Sequence, residues 1–97
     1  MNLRIIAEAK EDIDQAIAWY EAQRRGLGHD FAQALDKKLD AILAMPGAHP
    51  PVGDEVRVAR IKPYPYGIYY EATTDEIVVL AVLHLSRRPG IWRLRSP

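Results

Sequence analysis

Residues 77–83 read Ile-Val-Val-Leu-Ala-Val-Leu, seven apolar residues in a row, and His84 follows them. The run is far too short to span a bilayer and has the length of one β-strand. In a strand, successive side chains point to opposite faces. Strict alternation sends Ile77, Val79, Ala81 and Leu83 one way and Val78, Leu80, Val82 and His84 the other. A strand that is apolar on both faces must be covered on both. The fold therefore has to place a layer on each side of this strand. The 97 residues suffice for one domain, read as 1–97 with a single core.

Two helices supply the first layer. From about Glu8 to Arg25, Ile13, Ala16, Ile17 and Tyr20 recur at helical spacing on one face. Gly26-Leu27-Gly28 breaks that helix. A second pattern, from about Asp30 to Met45, carries Phe31, Leu35, Leu39 and Ile42, and Pro46-Gly47 stops it. The short break predicts an antiparallel helical hairpin that must bury its stripes against a sheet. Leu3–Ala7 forms an opening strand, and residues 46–55, with three prolines and two glycines, form a loop. Strands follow over Val56–Lys62, Gly67–Thr73 and Ile77–His84, with the Pro63-Tyr64-Pro65-Tyr66 segment between the first two. The order β-α-α-β-β-β predicts an α+β domain, a helical hairpin on one face of a small, mainly antiparallel sheet.

For the second layer only the tail from Leu85 to Pro97 remains. Either it folds back over the sheet or another chain supplies the cover. The tail is basic. Residues 1–55 hold six Lys/Arg and ten Asp/Glu, a balance of −4, while residues 56–97 hold seven and three, a balance of +4. No acid follows Glu76, whereas Arg87, Arg88, Arg93 and Arg95 do. An apolar face rimmed by arginines suits an anionic or protein partner. The alternative is that these arginines are solvated or pair with the acidic helices.

The sequence carries no phosphate-binding loop, dinucleotide fingerprint, zinc-protease motif or nucleophile elbow. It has no cysteine, and His29, His49 and His84 lack metal-ligand spacing, so neither a metal nor a cofactor is expected. The amino terminus shows no apolar signal-peptide core, which together with the missing cysteines fits a cytoplasmic protein without a membrane role. The candidate site gathers Arg57, Arg60, Lys62, His84, Arg87, Arg88 and Trp92, with Arg93 and Arg95 beyond. Arginines beside a histidine and an aromatic ring can bind phosphates, stack a base and move a proton; they can equally bind an acidic protein segment. Arg57 and Arg60 share a strand face only if a bulge intervenes. Trp92 reads as a plug over the sheet or as part of the site. Trp19 and Tyr20 read as structural, with Tyr20 in the helix stripe and Trp19 packed at its edge.

The series Trp19-Tyr20-Glu21, Gly26-Leu27-Gly28 with Phe31, Tyr64-Pro65-Tyr66 with Ile68 and Tyr70, Val79-Leu80-Ala81-Val82 with His84, and then Arg87, Pro89 and Trp92 resembles the ParE-type toxins of the ParE/RelE superfamily. The resemblance runs over nearly the whole chain. It implies the toxin of a bacterial type II toxin–antitoxin system of the plasmid-stabilisation kind. Such a toxin inhibits DNA gyrase and is neutralised by a cognate, ParD-like antitoxin in a hetero-oligomer. The alternatives are a RelE-like ribosome-dependent mRNA endonuclease, with His84 and Arg87 as its catalytic groups, or a non-toxic antitoxin-binding relative. The nuclease members carry an arginine just before the Ile/Val-x-Tyr stretch of the middle strand, a position that aligns with Gly67 here. They also use arginine and tyrosine near the chain end, where this chain has Arg87 and Trp92. Arg87 fits that pattern; Gly67 and Trp92 depart from it and favour the non-enzymatic branch.

Overall fold

A computed structural model describes residues 1–86 and 90–97. Its elements are β1 (Asn2–Ile5), α1 (Ala7–Gln23), α2 (Leu27–Ala44), a 3-10 turn (Pro46–Ala48), β2 (Pro51–Gly53), β3 (Val56–Arg60), β4 (Tyr66–Ala72), β5 (Glu76–His84) and a second 3-10 turn (Ile91–Leu94). The five strands form one sheet in the order β1-β5-β4-β3-β2. β1 runs parallel to β5, and the other pairs are antiparallel. The α+β architecture is as expected. One difference lies in residues 46–55, which are not wholly loop: Pro51–Gly53 adds a short edge strand to β3. Proline is tolerated there because an edge strand leaves one side of its backbone unpaired.

The helical hairpin covers one face through Ala9, Ala16 and Tyr20 of α1 and Phe31, Leu35 and Ile42 of α2, all buried. Its tight turn is held by one side chain. The Glu21 carboxylate accepts hydrogen bonds from the Gly26 amide at 3.0 and 3.1 Å and from the Gly28 amide at 3.1 Å. It thereby caps the start of α2, whose own N-cap residue, Gly26, has no side chain to do so. Gly26 adopts a left-handed φ of 90°, which glycine reaches without steric cost. At Gly28 a Cβ would stand 2.7 Å from the Ile17 carbonyl oxygen, so the two helices touch there backbone to backbone.

Strict alternation along the apolar strand does not hold. Tyr69 faces Ala81 while Tyr70 faces Val79, which leaves Leu80 unpaired in a β-bulge. Residues opposite one another share a face. Ile77 and Val79 therefore lie on the helix side with Tyr70, and beyond the bulge Val82 and His84 take over that side with Ile68 and Tyr66. Ala81 and Leu83 move to the second face. Residues 77–83 are all buried, so both faces of β5 are covered within the chain itself.

The cover of the second face is the tail folding back. Trp92 is buried and stacks on Tyr69, with ring centroids 6.4 Å apart and planes 22° from parallel. Arg93 lies over the Trp92 ring at 4.6 Å and binds Asp54 at 2.8 Å. Arg95 reaches the edge of β5 that β1 leaves open past Ile5. Its Nη1 donates to the Leu80 carbonyl at 3.0 Å and its guanidinium binds the Asp12 carboxylate, while Asp12 Oδ2 accepts from the Val82 amide at 3.0 Å. One donor and one acceptor from a single ion pair thus satisfy the bulged strand's edge as a neighbouring strand would.

Candidate functional site

The bulge determines where His84 goes. It carries the ring to the helix side of the sheet, edge-on to Tyr66 at 5.4 Å. Tyr66 in turn meets Tyr20 at 5.8 Å and Phe31 at 5.2 Å, and Trp19 stands edge-on to Tyr20 at 5.1 Å. Trp19, Tyr20, Pro65, Tyr66, His84 and Ser86 line a cleft of about 610 Å³ that ends where the tail begins. Trp19 stands at the edge of the stripe, as expected, but it is 56% exposed. Burial, reinforced by Tyr66 and Tyr64, raises the Tyr20 phenol above its ordinary value, so it stays protonated and neutral.

His84 Nδ1 accepts from the Ser86 amide at 3.1 Å and lies 2.8 Å from the Ser86 hydroxyl. A backbone N–H can only donate, so Nδ1 is an acceptor and the neutral ring carries its hydrogen on Nε2. The ring therefore offers the cleft a donor, flanked by aromatic faces. The cleft can stack a planar or apolar group and donate to a carbonyl or carboxylate.

The structure does not bring the seven described basic and aromatic candidates together. Arg57 is on the helix side opposite Tyr70, where its Nη1 donates to the His49 carbonyl at 2.6 Å. Arg60 faces Gly67 on the second side and is exposed. No bulge interrupts the β3–β4 register, so the two arginines stay on opposite faces. Lys62 borders a separate groove of about 940 Å³ with Lys37, Lys38 and Tyr64. Trp92 lies in the core, and Arg93 and Arg95 are engaged with Asp54 and Asp12. Arg87 and Arg88 lie outside the described residues. Among the described residues, no group of three or more His, Asp or Glu side chains could hold a metal ion, and no helix is long and apolar enough to cross a membrane.

Gly67 is packed shut. A Cβ there would stand 2.7 Å from Val58 Cγ2 and 2.9 Å from Leu85 Cδ2. The sequence reading missed Asp12, Glu21 and His49 as organising residues, because each acts on a partner far along the chain or across a turn. Trp19 was visible as part of a motif, but its exposure was not.

The family model for the ParE toxin of the type II toxin–antitoxin system parDE matches residues 3–89. A solved structure described as the chromosomal ParDE toxin–antitoxin system from P. aeruginosa superposes with a TM-score of 0.75 at 19% identity, covering 87% of this chain and 95% of that one. Among curated proteins, none matches by sequence.

Proposed function

Because the chain belongs to the ParE toxin family of type II toxin–antitoxin systems, we propose that it is a cytoplasmic toxin that inhibits DNA gyrase by binding and is neutralised by a cognate antitoxin in a hetero-oligomer. The observation that carries the binding mode is the state of His84. A general base needs a free lone pair aimed at the proton it removes. In His84 that lone pair, on Nδ1, is spent on Ser86, and the ring's open side presents a hydrogen. Trp19, Tyr20 and Tyr66 give the cleft aromatic walls on which a planar or apolar group can stack. At Gly67, where nuclease relatives carry an arginine, a side chain would have to displace those of Val58 and Leu85. In this reading, Trp19, Tyr66 and His84 form the recognition cleft. Arg60 and Lys62 are exposed cations for the target or the antitoxin.

The test is expression of the chain without its antitoxin, scoring DNA replication and translation separately, followed by supercoiling assays with purified gyrase. Replication stops first and supercoiling is inhibited. Ribosome-dependent mRNA cleavage by the wild type, lost in His84→Ala, would overturn the reading.

A further inference from the structure

Where the turn after α2 meets the sheet, three side chains converge that the cleft does not use. Tyr70, fully buried on β4, donates its phenolic hydrogen to the Pro46 carbonyl. Its oxygen is then free to accept, and His49 Nδ1 lies 3.1 Å away. The His49 ring therefore carries its hydrogen on Nδ1 and leaves Nε2 as an open acceptor. Arg57 Nη1 donates to the His49 backbone carbonyl at 2.6 Å, and the rest of that guanidinium has no hydrogen-bond partner among the described residues. Lys38 on α2 acts through its charge on the same imidazole and makes no ion pair or hydrogen bond among the described residues. Among the described residues, the charged and titratable groups that touch His49 or act on it are Lys38 from α2, Arg57 from β3 and Tyr70 from β4, none of them a carboxylate. Burial, then Lys38, then Arg57 hold the imidazole below its ordinary value, which favours its neutral form.

We propose that Lys38, His49 and Arg57 form a receptor for a carboxylate from an acidic, apolar-bearing segment of a partner protein. A guanidinium fork matches a carboxylate, and a second cation completes the charge balance. A protein segment fits better than a nucleic acid because the surface beside the site is apolar, with Met45, 65% exposed, directly preceding Pro46. Once the carboxylate is bound, its charge favours the protonated imidazole, so binding takes up a proton at His49. Only the name of the partner, an antitoxin, rests on the toxin reading; the receptor itself does not.

The test follows the His49 ring resonances by NMR in the full chain. The probe is a short peptide alternating glutamate and leucine, set against the same peptide with glutamine for glutamate and a uridine oligonucleotide of equal charge. The acidic peptide shifts the His49 resonances, moves the ring's titration to higher pH and binds more tightly in acid than at neutral pH. Lys38→Glu weakens it by about tenfold or more, the loss expected for one charge-assisted contact. Because Lys38 makes no described contact that the fold needs, this variant stays folded. Trp19→Ala, at the other cleft, leaves the His49 response to the acidic peptide as it is in the wild type. No response to the acidic peptide, an equal response to the glutamine peptide, or a stronger one to the oligonucleotide overturns the proposal. None of these results depends on whether the chain arrests growth, so failure of the receptor and failure of the toxin reading are distinguishable.

Discussion

Gly67 is the residue at which a single added carbon has the clearest consequence. Its Cβ would press on the side chains of Val58 and Leu85, both half-buried. Overpacking of this kind costs about 1–3 kcal/mol, so Gly67→Ala lowers the urea midpoint without changing the slope of the transition. Gly67→Arg fails to fold, and an equally stable arginine variant would show that the face is looser than described. His49 gives a pH signature. Its folded-state value is depressed, so between that value and the ordinary 6.5 the unfolded chain binds the proton more readily than the folded one. The stability contributed by its neutral form is complete above about 6.5 and is lost as pH falls through the depressed value. His49→Asn, which keeps a donor for Tyr70, flattens the stability profile on the acid side of 6.5. Thermal melts across that range check it, and an unchanged slope would assign the acid loss to other groups.

At the scale of elements, two side chains stand in for missing backbone partners. Glu21 caps α2 across the hairpin turn with three hydrogen bonds. Glu21→Ala leaves those amides to water and costs about 1–2 kcal/mol, with amide exchange accelerating first at Gly26 and Gly28. Asp12 and Arg95 close the edge of β5. Their side chains are 10% and 16% exposed, which makes the pair largely buried. Arg95→Ala strands a carboxylate and the Leu80 carbonyl together and costs about 3 kcal/mol. Replacing both partners by apolar residues costs less than removing one, because no charge is left unpaired. A double-variant cycle measures that difference, and simple additivity would mean that the pair does not act as a unit.

For the whole molecule, the tail is part of the core. Trp92 is buried against Tyr69, and Arg93 and Arg95 tie the tail to Asp54 and Asp12. Truncation from Arg87 onward removes this cover and unfolds the chain, so it is no test of target binding. Trp92→Ala alone costs about 3–5 kcal/mol, the range for a buried tryptophan. Trp19 is the cleaner probe of function, because most of it already faces solvent. Trp19→Ala changes stability by less than about 1 kcal/mol yet relieves growth arrest, whereas His84→Ala weakens toxicity only modestly. Full toxicity in a folded Trp19→Ala variant would move the recognition surface away from this cleft. Since the chain covers both of its own sheet faces, it folds without an antitoxin. The complex still melts higher through mass action, by about 4 kcal/mol of added stability at a thousandfold excess over Kd.

The element order, the helical hairpin and its stripes, and the need to cover both sides of residues 77–83 were legible in the sequence, because helical spacing and an uninterrupted apolar strand are local patterns. Trp92 as the plug of the second face was one of two readings, and it was settled only by the fold, since a charged tail can equally lie in solvent. The bulge at Leu80 could not be read from the sequence. A run that is apolar on both faces looks the same in either register, so nothing local shows that His84 turns to the helix side. The short strand at Pro51–Gly53 was hidden for a related reason: its composition is that of a loop, and only pairing with β3 makes it a strand. The ledger of charge was also incomplete. Composition showed a basic half and an acidic half, and the tertiary structure decided which arginines meet an acid. Arg95 meets Asp12 across 83 positions of chain, while Arg57 and Lys38 form no ion pair among the described residues. Sequence fixes which charges a chain carries; a distance of a few ångströms, set by packing, decides which of them are spent inside the fold and which remain for a partner.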